Sequence, residues 1–142
     1  MSTTVMVATH GDDEPTRDAL TLGVQLARLL EGDLVLAGVW ASPLGQGDGL
    51  YEGLVKEPLQ LELRELRATV PDDVSTRTKI QGSTSVVRGL HKVAAEQHAD
   101  VLVLGPSRLH KGARAFRGDV ALGIAHDAPC AVAVAPEGLR DR

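Results

Sequence analysis

Arg108, Lys111, Arg114 and Arg117 lie between Val101 and Gly118, a stretch with no Asp or Glu. The chain as a whole carries a formal net charge of −4. A local basic loop on an acidic protein suits a small anion or an internal carboxylate partner. It is not the extended basic face that nucleic-acid binding requires, so no nucleic-acid partner is expected. His10 follows the first apolar run, where it either lines a pocket or forms a turn. His91 and His98 share a helix face but lack an evident third metal ligand, so they read as solvated or capping residues. The single cysteine, Cys130, excludes an internal disulfide framework and the usual cysteine zinc sites; it reads as a small core residue. No Ser/His/Asp, metal or P-loop constellation is present, so no metal and no catalytic residue is expected.

The elements that must position these residues follow from composition and periodicity. The 142 residues are 43% hydrophobic and 24% charged, which fits one ordinary globular domain over residues 1–142. Trp40, Tyr51 and Phe116 are the only aromatics, so the core must be aliphatic. The longest uncharged run, Leu34 to Gly47, contains Gly, Ser, Pro and Gln and is too short for a membrane span. The N-terminus lacks a positive secretory region, so a cytoplasmic protein is expected. Val5–Ala8 reads as a buried strand, and a helix follows from about Pro15 to Leu30, with Asp12 and Asp13 as helix-start charges. On that helix Ala19, Leu22, Leu26 and Leu29 are expected to face inward, opposite Thr21, Gln25 and Arg28. Leu34–Trp40 is a second strand, and Ser42–Gly53 reads as a Gly-rich loop. A second helix is expected over about Pro58–Thr69, then a strand over Val74–Gln81 whose polar face and cations, Arg77 and Lys79, suit a sheet edge. Gly82-Ser83-Thr84 opens a third helix to about His98, with Val86, Leu90, Val93 and Ala94 inward. Val101–Gly105, a short helix from Asp119 to His126 and Ala131–Ala135 complete the pattern. Alternating strands and helices mean a single doubly wound parallel five-stranded sheet with helices on both faces. Ligands of such sheets bind beyond the carboxyl ends of the strands, which points to Thr9, His10, Val39, Trp40, Gln81, Gly82 and Gly105 onward.

Gly82 to Gly105 carries a glycine, a helix, Ala99-Asp100, an apolar strand and a second glycine. In that register it resembles the universal stress protein family. Gly118 and the segment Ala128-Pro129-Cys130-Ala131-Val132, similar to the family's Ala-Pro-Cys-Pro-Val, extend the resemblance. It spans essentially the whole chain and is strongest from Gly82 to Ala135. It implies an adenine nucleotide alpha hydrolase-like sheet of strand order 3-2-1-4-5 and a role in stress survival rather than catalysis. It also implies homodimers formed through the fifth strand, Ala131, Val132, Ala133, Val134 and Ala135, an apolar edge with nothing to prevent pairing.

The family's ATP-binding branch uses a G-x2-G-x9-G-[ST] motif and an acid after the first strand that holds adenine. Its first and third glycines match Gly105 and Gly118, but the second position is Arg108 and the Ser/Thr position is Asp119, followed by Val120. The adenine-holding acid falls at Thr9 or His10. Arg108 can fill the space a phosphate would approach. Asp119 suits a helix N-cap but places a carboxylate where phosphate should bind. Two unit charges about 4 Å apart repel by about 4 kcal/mol at an effective dielectric near 20. Either Arg108 or Arg117 pairs with Asp119 and the ATP site is lost, or the basic loop keeps an altered site for ATP or another adenine nucleotide, bound weakly. The resemblance thus leaves a degenerate nucleotide binder with weak hydrolysis and a ligand-free module acting on a regulatory protein partner as rivals. A phosphorelay receiver is excluded: beyond an acidic pair like Asp12-Asp13 it needs an Asp and a Lys at strand ends that here read Ile80-Gln81 and Ala135-Pro136.

Overall fold

Apolar runs too short and too uniform for amphipathic helices form the middle of the sheet. A computed structural model describes residues 2–11, 13–42, 49–106 and 118–142, with the backbone alone at 49–52 and 118–120. The strands are β1 (Thr4–Thr9), β2 (Asp33–Ala41), β3 (Thr76–Ser83), β4 (Val101–Leu104) and β5 (Ala131–Val134). All pair in parallel, in the order β3-β2-β1-β4-β5. Side chains alternate across this sheet and feed two cores. Val5, Val7, Leu34, Leu36 and Val103 pack with one helix pair, α1 (Glu14–Leu29) and α2 (Gly49–Ala68). Met6, Ala8, Val35, Ala37, Leu102 and Leu104 pack with α3 (Val86–Glu96) and α4 (Gly118–Ala125). Fold class and strand order are therefore as expected, and β3, with exposed Lys79, is an edge strand.

Helix α1 lies closer to the sheet than its leucine spacing suggests. Its buried face is Thr16, Ala19, Leu20, Gly23, Val24 and Ala27, while Leu22 and Leu26 only flank the core and Leu29 is 76% exposed. A Cβ on Gly23 would collide with Val7 and crowd Leu34 Cδ1 at 3.3 Å. The face pressed on β1 and β2 must be small, so the larger leucines rotate to the sides.

Helix α2 also departs from expectation. It begins by Gly49, inside the expected loop, and runs through Pro58 instead of starting there. A proline inside a helix forfeits one backbone bond at about 3 kcal/mol. Pro58 is exposed, and Leu63 and Leu66 behind it are 1% and 2% exposed, so packing of the opposite face outweighs the break. Residues 43–48 of the expected loop lie outside the described residues. Strand β3 extends to Ser83, where the Ser83 carbonyl accepts from Ser42 N–H, so α3 starts later than expected, with Ser85 as its N-cap. The Ser85 hydroxyl accepts from the Arg88 N–H at 3.1 Å.

The segment after β5 holds a feature that sequence patterning missed. Asp18, on α1, has no solvent exposure and accepts the Gly138 N–H at 3.0 Å and the Arg140 N–H at 2.9 Å. The Arg140 guanidinium adds contacts at 3.1 and 3.2 Å and also reaches Glu14 at 3.4 Å. Burial alone would raise the Asp18 carboxyl. Hydrogen bonds from the Arg140 and Gly138 backbone and the Arg140 side chain outweigh it and hold the group below its ordinary value.

A carboxyl lowered in the folded state contributes stability that is fully present above the unfolded value, about 4, and is lost as pH falls through the folded value. Asp18→Asn should therefore destabilise the protein by about 3 kcal/mol near pH 7. The gap from the unmodified protein should narrow below about pH 4. Urea unfolding across that range checks this; a gap that stays constant with pH would contradict it.

Candidate functional site

The order in which strands are added reverses between β1 and β4, which stay parallel: successive strands run out to β3 on one side of β1, then return to its other side. Doubly wound sheets open a ligand crevice at such a switch point. Thr9 pairs with Gly38, one residue before Val39, and Val7 pairs with Val103, two residues before Gly105. The structure thus brings Thr9, His10, Val39 and Gly105 to one end of three adjacent strands. The α4 backbone begins at Gly118, but the side chains of Asp119 and Val120, and Arg108 together with the rest of the basic loop, lie outside the described residues.

Each placed residue is held by identifiable contacts. The Thr9 hydroxyl donates to the Ala37 carbonyl at 3.0 Å. The His10 N–H donates to Thr16 Oγ1 at 3.0 Å, and Gly11 takes a left-handed φ of 78° to turn the chain into α1. Asp13 caps that helix, its Oδ1 accepting from the Thr16 N–H at 2.9 Å. Val39 packs so near Gly89 on α3 that a Cβ there would strike it. Gly105 lies directly against the Pro15 carbonyl of α1, so the first turn of that helix forms a wall of the crevice.

Two polar atoms in this region lack partners. Among the described residues, Asp13 Oδ2 and Trp40 Nε1 are the buried side-chain atoms without a hydrogen bond. Trp40, 7% exposed, lies over Gly82, where any Cβ would meet its indole ring. Asp13 is the expected helix-start charge; that one of its oxygens is buried leaves no mark in the spacing.

The other candidates separate from this site. His91 Nε2 bonds to the Ile124 carbonyl at 2.7 Å, tying α3 to the end of α4, which is a capping role. His98 takes a left-handed φ of 53° just past α3. Cys130 immediately precedes β5, at the opposite, amino end of the sheet. Burial and then the Asp100 carboxylate push its thiol up, which makes it a poor nucleophile. Among the described residues no group of three or more His, Cys, Asp or Glu could hold a metal ion. No helix among them is long and apolar enough to cross a membrane. A concavity of about 580 Å³ opens on the flank of α1, between Arg17, Val24, Val70 and Arg140, away from the strand ends. Two of its cations, Arg28 and Arg140, are already paired with Asp73 and Asp18. Among the described residues, the end of the sheet therefore carries backbone groups, a carboxylate oxygen and an indole N–H.

A sequence model of the Universal stress protein family matches residues 1–136. A universal stress protein of Mycobacterium tuberculosis is 30% identical over 130 residues, which cover 86% of this chain and 44% of that protein; the chain spans about half the length of the curated relatives it matches. Among solved structures, a universal stress protein from Archaeoglobus fulgidus superposes with a TM-score of 0.72 at 16% identity, covering 96% of this chain and 95% of that one. A family protein from Arabidopsis thaliana with AMP bound gives 0.69 at 17% identity, covering 98% and 94%.

Close approach at Gly105 fixes the wall of the site. Gly105→Ala should lower stability by about 2 kcal/mol, because the new methyl meets backbone that cannot rotate away. Gly53→Ala, in α2 with nothing within 4 Å of the new Cβ, is the control and should gain about 0.5–1 kcal/mol. Thermal unfolding of both variants checks the contrast; a neutral Gly105→Ala would contradict the packing described.

Proposed function

From the chain's membership of the universal stress protein family, we propose that it is a cytoplasmic stress-response regulatory domain with a weak adenine-nucleotide site and no enzymatic role of its own. One observation carries the weak-affinity reading: the end of β1, where an adenine-holding acid is expected, carries Thr9 and His10 instead. Thr9 there donates to Ala37, and the His10 N–H is held by Thr16. The departures at Arg108 and Asp119 point the same way. The Arabidopsis relative holds AMP, which makes AMP and ATP the ligands to test.

A homodimer through β5 belongs to the same proposal. β5 lies at the sheet edge opposite β3, and Val134 is 54% exposed although apolar. Ala131 is exposed as well, while Val132 packs partly into the core and Ala133 is half-buried beside it. Ala135 is only 1% exposed and its N–H bonds to Leu104, so pairing with a second copy falls to Ala131–Val134. Such an open apolar edge invites an antiparallel partner.

Calorimetry should give dissociation constants for ATP and AMP well above micromolar; micromolar ATP binding would overturn the reading. Arg108→Gly with Asp119→Ser should bind ATP better than the unmodified chain, with the two changes non-additive if the residues pair. Equal affinities across the four forms would remove this loop from the phosphate site. Val134→Lys should yield monomers by light scattering, and a mass of 15.0 kDa for the unmodified protein at micromolar concentration would exclude the dimer.

A further inference from the structure

The segment that follows β5 does more than close the fold. Ala135 still bonds to the end of β4, its N–H donating to the Leu104 carbonyl at 2.9 Å. The chain then crosses to α1 by a turn in which the Leu139 N–H donates to the Pro136 carbonyl at 3.2 Å and Gly138 takes a left-handed φ of 80°. There Asp18 receives two backbone N–H groups and the Arg140 guanidinium. Arg140 also reaches Glu14 in the first turn of α1. That turn touches the candidate site twice: the Pro15 carbonyl abuts Gly105, and Thr16, 2% exposed, holds the His10 N–H. One helical turn therefore carries both the clasp and the site wall, and an α-helical turn is too stiff to move one without the other.

We propose that Asp18 and Arg140 are positioning residues: through the first turn of α1 they set the β1–α1 loop and couple the β5 edge to the site at the carboxyl ends of the strands. They touch no ligand. The coupling runs both ways, since a ligand that favours one position of α1 favours the matching position of the segment leaving β5. The effect on nucleotide affinity rests on the proposed function, whereas the effect on the loop does not.

Arg140→Ala is the primary test, because it removes the guanidinium and leaves both backbone N–H donors to Asp18. Asp18→Asn is the harsher second variant. The control is Val93→Ala, in the core on the other face of the sheet, where Val93 is 3% exposed. Amide hydrogen exchange should be compared at matched distance below each variant's melting temperature. Exchange at His10 and Thr16 should quicken about 10-fold in Arg140→Ala relative to Val93→Ala, the size of a modest coupling between sites. Arg140→Lys should restore part of the protection. If His10 and Thr16 exchange alike in Arg140→Ala, Asp18→Asn and Val93→Ala, the pair is merely structural and the proposal fails. AMP titration of the same proteins separates the two readings. Unmodified protein that binds no AMP while His10 responds to Arg140→Ala sinks the nucleotide reading and supports the loop coupling. AMP affinity that is unchanged in Arg140→Ala overturns the coupling to the ligand site.

Discussion

A buried carboxylate on α1 decides where that helix sits, and the site depends on the helix. Removing a charge from water is costly unless hydrogen bonds replace the lost hydration. Asp18 obtains four such contacts, all from Gly138 and Arg140. The segment after β5 is thereby bound to the helix that follows β1. With Gly23 allowing close approach to Val7 and Gly105 allowing close approach to Pro15, α1 has little freedom to slide or rotate.

The strands and their parallel pairing were legible because parallel strands buried on both faces have little choice of composition; their order 3-2-1-4-5 came from the family resemblance. Val5-Met6-Val7-Ala8 and Val101-Leu102-Val103-Leu104 contain no polar residue to misplace. The polar alternation of β3 marked it as an edge for the same reason. Helix faces were harder. Leucine spacing on α1 suggested a stripe through Leu29, but close contact with the sheet selected Ala19, Gly23 and Ala27 instead. Pro58 misled because a proline is a start signal on average, and tertiary packing of Leu63 and Leu66 overrode it.

The site was legible as a place more than as a set of contacts. The strand ends and the switch point follow from topology, so Thr9, His10, Val39 and Gly105 could be named from the sequence. Asp18 could not, since an acid near a helix N-terminus reads as a solvated charge until the segment that covers it is seen, and Gly138 and Arg140 lie more than a hundred residues away. The burial of one Asp13 oxygen is likewise invisible to spacing.

The proposed weak adenine-nucleotide site lies at the carboxyl ends of β1, β2 and β4. An AMP titration followed by amide chemical shifts across the whole chain tests this most directly. The amides of His10, Val39 and Gly105 should move in fast exchange and approach saturation only far above micromolar AMP. Shifts confined to the flank around Arg17, Thr21 and Arg28, or slow exchange that saturates at stoichiometric AMP, would contradict it.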